Sequence, residues 1–146
     1  MLAIGCDHAG VGLKNAIEEE LKAQGIEFFD YGAFEGEKVD YPVVAEKVAR
    51  SVASGESERG ILICGTGIGM SIAANKVDGI RASVCHDVFS ARMTRMHNDS
   101  NVLCMGERVI GYGLAMDVLN AWLHAEFEGG RHQRRVDLMT EIEKNR

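Results

Sequence analysis

GILICGTGIGMSIAAN, from Gly60 to Asn75, is the stretch on which the fold turns. The apolar run Ile61 to Ile63 ends at Cys64. Glycines follow at alternate positions, Gly65, Gly67 and Gly69, and a helix-forming segment then begins. This reads as strand, glycine turn, helix. Such a turn exposes backbone N–H groups at the positive end of a helix, where an anion or a developing negative charge is stabilised. Cys64 stands at the carboxyl end of the strand, the rim on which open α/β sheets place their ligands. A thiol beside an anion hole points to chemistry rather than packing.

On both sides of this segment strands and helices alternate. Met1–Gly5 reads as a strand. Gly10–Gln24 reads as a helix, with Leu13, Ile17 and Leu21 on one face and Glu18, Glu19, Glu20 and Lys22 on the other, ended by Gly25. Ile26–Tyr31 predicts a second strand, and Gly32–Asp40 a polar loop. Asp40 as a cap and Pro42 in the first turn predict a helix to about Ser54, with Val44, Val48 and Val52 along one side. The third strand is Gly60–Cys64. It is followed by a helix over Met70–Lys76, a strand over Gly79–Cys85, a helix over Val88–Met96 and a strand over Asn101–Met105. Helices over Gly111–Ala125 and Arg131–Lys144 close the chain. The alternation predicts one domain over residues 1–146: a three-layer α/β/α sandwich with a five-stranded parallel, Rossmann-like sheet. Gly111–Ala125 is apolar on more than one side, through Leu114, Met116, Val118, Leu119, Trp122 and Leu123. That predicts cover on both sides, from the core or from a second subunit.

The chain has 146 residues, enough to bury roughly 70% of its unfolded surface in one core. A formal net charge of -6 gives no electrostatic support to nucleic-acid binding. No apolar stretch approaches the roughly 18 residues that a membrane-spanning helix needs, and Met1 leads straight into a strand pattern without a basic leader. The four cysteines, Cys6, Cys64, Cys85 and Cys104, form no C-x-x-C pair and follow apolar runs. Reduced, buried thiols and a cytoplasmic location are the expectation. The five histidines are scattered along the chain, so no metal centre is expected.

Three further segments carry groups suited to chemistry. Cys6-Asp7-His8-Ala-Gly10 ends the first strand on the same rim as Cys64, although Asp7 also suits a helix cap. Met96-His97-Asn98-Asp99-Ser100 holds a histidine able to exchange a proton near neutral pH. In Glu128-Gly-Gly-Arg131-His-Gln-Arg134-Arg135, two guanidinium groups four residues apart share a helix face. Cations in a first turn oppose the helix dipole, a mismatch that a bound phosphate relieves. Two other readings of the glycine turn fail. A phosphatase loop needs an arginine six positions after its cysteine, and Met70 stands there. A dinucleotide fingerprint needs its third glycine one residue later, although Asp87 lies at a suitable distance for a ribose.

Taken in order, Cys6-Asp7-His8-Ala-Gly10, Asp40-Tyr41-Pro42, Gly60 to Gly69, Ala73-Ala-Asn75-Lys76, His97-Asn98-Asp99 and Glu128-Gly-Gly-Arg131-His-Gln resemble the type B ribose-5-phosphate isomerases. The wider group includes allose- and galactose-6-phosphate isomerases. The resemblance covers essentially the whole chain. It implies cofactor-free interconversion of ribose 5-phosphate and ribulose 5-phosphate through an enediolate. It also implies a homodimer, or a dimer of dimers, with active sites at the subunit interface. On that resemblance Cys64 is the base, His97 the acid that opens the sugar ring, and Gly65, Thr66, Gly67, Ile68 and Gly69 the backbone anion hole. Asp7, His8, Tyr41, Asn98, Arg108, Arg131 and Arg135 are implied to bind substrate, the last two at the phosphate. Thr66 is a further catalytic candidate, through Cys64 or a sugar hydroxyl. Another branch uses a glutamate base at the position of Met70, which cannot take a proton. The alternatives are a six-carbon 6-phosphate as substrate, or a noncatalytic sugar-phosphate-binding subunit.

Overall fold

The computed structural model describes residues 1–146 as a single sheet flanked by helices. In chain order the elements are β1 (Leu2–Cys6), α1 (Val11–Ala23), β2 (Phe28–Asp30), α2 (Tyr41–Ala53), β3 (Arg59–Cys64) and α3 (Ile68–Ala74). They continue with β4 (Ala82–Val84), α4 (Val88–Asn98), β5 (Val102–Gly106), α5 (Tyr112–His124) and α6 (Arg131–Lys144). All five strands are parallel, in the order β2-β1-β3-β5-β4.

Period-two alternation splits the core into two layers. Ile4, Cys6, Ile61, Ile63, Leu103 and Met105 face α1 and α5, where Leu13, Ile17, Val118 and Trp122 lie. Ala3, Leu62, Cys64, Val102 and Cys104 face α2 and α3, packing on Val44, Val48, Met70 and Ala74. Each fully buried valine or leucine there contributes about 1.5–3 kcal/mol. The three-layer α/β/α sandwich is therefore as the sequence predicts. Because β1 connects outward to β2 and then back across to β3, the sense in which strands are added across the sheet reverses between β1 and β3. Their carboxyl ends form the crevice where such sheets bind ligands.

Some boundaries differ from the sequence reading. β4 is only Ala82–Val84, and side chains take several backbone groups at its start. Asn101 takes the Arg81 N–H at 2.8 Å and donates to Gly79 O, and Asn75 pairs with both backbone groups of Ala82. β2 contracts to its three residues paired with β1 at the sheet edge. α3 starts at Ile68 rather than Met70, since Ser71 N–H already bonds Gly67 O. Asp40 occupies the cap position of α2 without a side-chain cap bond. Asp87 instead caps α4, accepting Ser90 N–H at 2.8 Å, so its carboxylate is committed locally. α5 buries Ala115, Val118, Leu119, Trp122 and Leu123 but leaves Tyr112 and Leu114 exposed, so the chain itself covers one side. No helix is long and apolar enough to cross a membrane.

Candidate active site

β3 carries Cys64 to the carboxyl rim, opposite Gly106 of β5, while Cys6 of β1 pairs with Ile63. The turn beyond Cys64 is pressed against the end of β5. Gly67 has φ 79°, and a Cβ there would lie 2.8 Å from the Met105 carbonyl carbon, so only glycine fits. This folds the turn back toward the thiol. Gly67 N–H donates to Cys64 Sγ at 3.1 Å, and Ile68 N–H donates to Thr66 Oγ1 at 3.2 Å. The N–H groups of Gly65, Thr66 and Gly69 have no acceptor within the chain. The anion hole is thus narrower than the glycine run suggests, with one donor on the sulfur and three free. The Thr66 hydroxyl is engaged by Ile68, not by Cys64.

Asp7, Tyr41, Ile68, Gly69 and Ile72 complete the recess around Cys64. Asp7 is buried and accepts Ala9 N–H at 2.9 Å, which braces the first turn after β1 without capping α1. The Tyr41 ring lies so close to Gly69 that a Cβ there would come within 2.6 Å of it. Arg108 donates its N–H to Gly65 O at 3.1 Å and lays its side chain over Gly65. His8 is exposed and opens on an adjoining groove with Asn15, Glu37 and Lys38. Ile72 escaped the sequence reading; its spacing of four from Ile68 was the available signal.

A second cluster sits elsewhere. His97 is near the end of α4, its ring stacked on His132 of α6 with centroids 4.1 Å apart and planes 7° from parallel. Glu128 Oε1 lies 3.1 Å from His97 Nε2 and 3.7 Å from His132 Nε2. Asn98, Arg131 and Arg135 are exposed nearby, and neither guanidinium has a partner in the chain. The histidines scattered in sequence are therefore gathered in space: donor atoms of His97, Glu128 and His132 all lie within 4.8 Å of one another. Parallel rings do not aim their lone pairs at a common point, and Arg131 and Arg135 flank the group. This arrangement suits proton handling and anions better than a bound cation.

The chain does not bring its two clusters together. β4 ends on the carboxyl rim, and the 11 residues of α4 run about 16 Å back toward the opposite rim. Asn101, just beyond, accepts Gly60 N–H where β3 begins. His97 and Asn98 thus lie at the amino end of the sheet and Cys64 at its carboxyl end, about 13 Å away along the strand alone.

Residues 2–139 match the family model described as ribose/galactose isomerase. The chain is 53% identical to ribose-5-phosphate isomerase B of Escherichia coli over 145 residues, covering 99% of this chain and 97% of that protein. It is 48% identical over 137 residues to a D-erythrulose-4-phosphate isomerase of Pectobacterium atrosepticum, covering 93% and 90%. The solved ribose-5-phosphate isomerase B of Clostridium thermocellum superposes with a TM-score of 0.97 at 56% identity, covering 99% of this chain and 97% of that one.

Proposed function

The chain belongs to the ribose/galactose isomerase family and is a sugar-phosphate isomerase; from that premise we propose that it interconverts ribose 5-phosphate and ribulose 5-phosphate through an enediolate, at a site completed by two copies of the chain. Cys64, as thiolate, takes the proton from C2 of the open-chain aldose and returns it at C1. The free N–H groups of Gly65, Thr66 and Gly69 receive the oxygen on which charge develops, where one such donor is worth roughly 3 kcal/mol. His97 gives a proton to the ring oxygen of the cyclic sugar. Arg131 and Arg135 hold the phosphate. Arg108, Asp7, His8, Tyr41 and Asn98 orient the chain of hydroxyls. Ring opening needs an acid, and enolisation needs a base and an oxyanion site; these residues supply all three without a cofactor.

The observation that carries the reading is the Cys64 sulfur standing beside three unengaged N–H donors on the ligand-binding rim. Two further facts support completion by a partner. The groups for ring opening and phosphate binding lie at the far end of the same sheet. Ile68, Ile72 and Phe89, on or beside that rim, are more than half exposed, which suits cover by a second subunit. A two-fold axis that apposes opposite rims of two copies would build two equal sites.

Cys64→Ala should lower kcat on ribose 5-phosphate by 10²-fold or more, the order of a general base, with an unchanged circular dichroism spectrum. Near-normal turnover would remove the thiol from the chemistry. The similarity to a D-erythrulose-4-phosphate isomerase favours a second reading, a four-carbon substrate. Comparing kcat/KM for ribose 5-phosphate, D-erythrulose 4-phosphate and allose 6-phosphate on one preparation ranks the chain lengths. Clear preference for another sugar would displace the pentose.

A further inference from the structure

His97 is held from two sides by residues that the proposed chemistry does not use. Its ring lies face to face on His132, and the Glu128 carboxylate stands 3.1 Å from its Nε2. Both neighbours are fixed by their backbones. Glu128 N–H donates to Met96 O at 3.0 Å, on the turn that carries His97, and His132 N–H donates to Gly129 O at 3.0 Å. His132 is buried, one turn of α6 from the equally buried Val136, whereas His97 is half-buried and open on one side.

We propose that His132 and Glu128 are positioning residues for ring opening: His132 is the platform that sets the plane of the His97 ring, and Glu128 sets its edge. This rests on the reading of His97 as the ring-opening acid. A histidine near a helix end otherwise turns freely about two side-chain torsions, and a proton donor misplaced by about 1 Å can lose 10²-fold in rate. The platform is also chemically suited. Desolvation, then the charges of His97 and Arg131, hold His132 below the usual histidine range. A neutral ring can stack on an imidazolium without repulsion. The charged groups facing the pair are Glu128 from the loop before α6 and Arg131 and Arg135 from α6 itself. From α4, Arg95 is engaged by Asp99. In the step served, a proton passes from His97 to the ring oxygen and the C1–O bond breaks. The anomeric hydroxyl proton leaves to water, C1 becomes the aldehyde, and water re-protonates His97.

Two reactions separate ring opening from enolisation. Turnover of ribose 5-phosphate requires both. Wash-in of solvent deuterium at C1 of ribulose 5-phosphate requires only enolisation, because a ketopentose phosphorylated at O5 has no furanose to open. His132→Ala and Glu128→Gln should lose about 10- to 100-fold in ribose 5-phosphate turnover and keep near-normal deuterium wash-in. His132→Phe, which keeps a flat ring and cannot titrate, should recover most of the loss. Equal loss of both reactions, or wild-type turnover in both variants, overturns the positioning roles. His97→Asn tells which premise failed. If it too affects both reactions alike, His97 is not the ring-opening acid. If it impairs turnover alone while the other variants do not, only the inference about His132 and Glu128 falls.

Discussion

Cys64 differs from the other three cysteines in what surrounds it. Burial pushes the Cys6 thiol up to about 12 and the Cys85 thiol up to about 11, and drives Cys104 higher still. All three are inert packing groups at neutral pH. Cys64 ends its strand against a glycine turn whose Gly67 N–H reaches the sulfur. That distinction was legible, because glycines at alternate positions after a thiol favour a turn over further strand. The fate of the Thr66 hydroxyl was not, since the neighbour that engages it, Ile68 N–H, depends on the turn's dihedral angles. Arg131, Arg134 and Arg135 make the sharpest test at this scale. All three are exposed, and none has an acceptor in the chain. Arg134 lies about 100° around the helix from Arg135. A charge-assisted hydrogen bond is worth about 1.5–3 kcal/mol, or one to two decades in binding. Arg135→Ala should weaken inhibition by inorganic phosphate by that factor, raise KM and lower kcat, while Arg134→Ala stays close to wild type. The reverse pattern would put the phosphate on another face of α6.

Among the elements, those with strong punctuation were read almost to the residue. α6 begins at Arg131, where Gly129 and Gly130 both adopt positive φ, and ends at Lys144. The edge strands β2 and β4 were read too long: β2 keeps only the three residues that pair with β1, and beside β4 the side-chain amides of Asn75 and Asn101 take backbone groups of Gly79, Arg81 and Ala82. α1 hides a second discrepancy. Glu18 reads as part of its solvent face, yet Lys14 is fully buried on the same helix. Lys14 Nζ donates to both Asp30 carboxylate oxygens at 2.7 Å and to Ala33 O at 2.8 Å. Glu18 is drawn into this cluster, with one carboxylate oxygen buried and unpartnered. Burial, and then Asp30, push its carboxyl up from 4.5 to about 7. Between those values the folded chain keeps a proton that the unfolded chain releases, so stability falls as pH rises through this window. Glu18→Gln removes that loss. Its melting temperature should exceed wild type at pH 8, and the gap should close near pH 4. A gap that stays constant with pH would show that Glu18 does not carry the titration.

For the whole molecule, topology decides what one chain can do. The parallel sheet and the carboxyl rim shared by Cys64 and Asp7 were within reach of the sequence, because strands alternating with helices call for parallel crossovers. The distance between Cys64 and His97 was not, since two residues read as one site can sit on opposite rims of the same sheet. If a partner chain supplies His97, Asn98, Arg131 and Arg135 to the recess around Cys64, then Cys64→Ala and His97→Asn damage the same site from different subunits. Each variant alone leaves no intact site. In a hybrid dimer, one site receives both lesions and the other receives neither. Equal co-expression with random pairing makes half the dimers hybrid, so activity should return to about a quarter of wild type. Isolating the hybrid by differential tags and titrating its functional sites should give one per dimer. If the chain completed its own site, each subunit would carry one lesion and the hybrid would be as inactive as its parents. The outcome therefore reads directly whether the two ends of the sheet act within a chain or across the dimer.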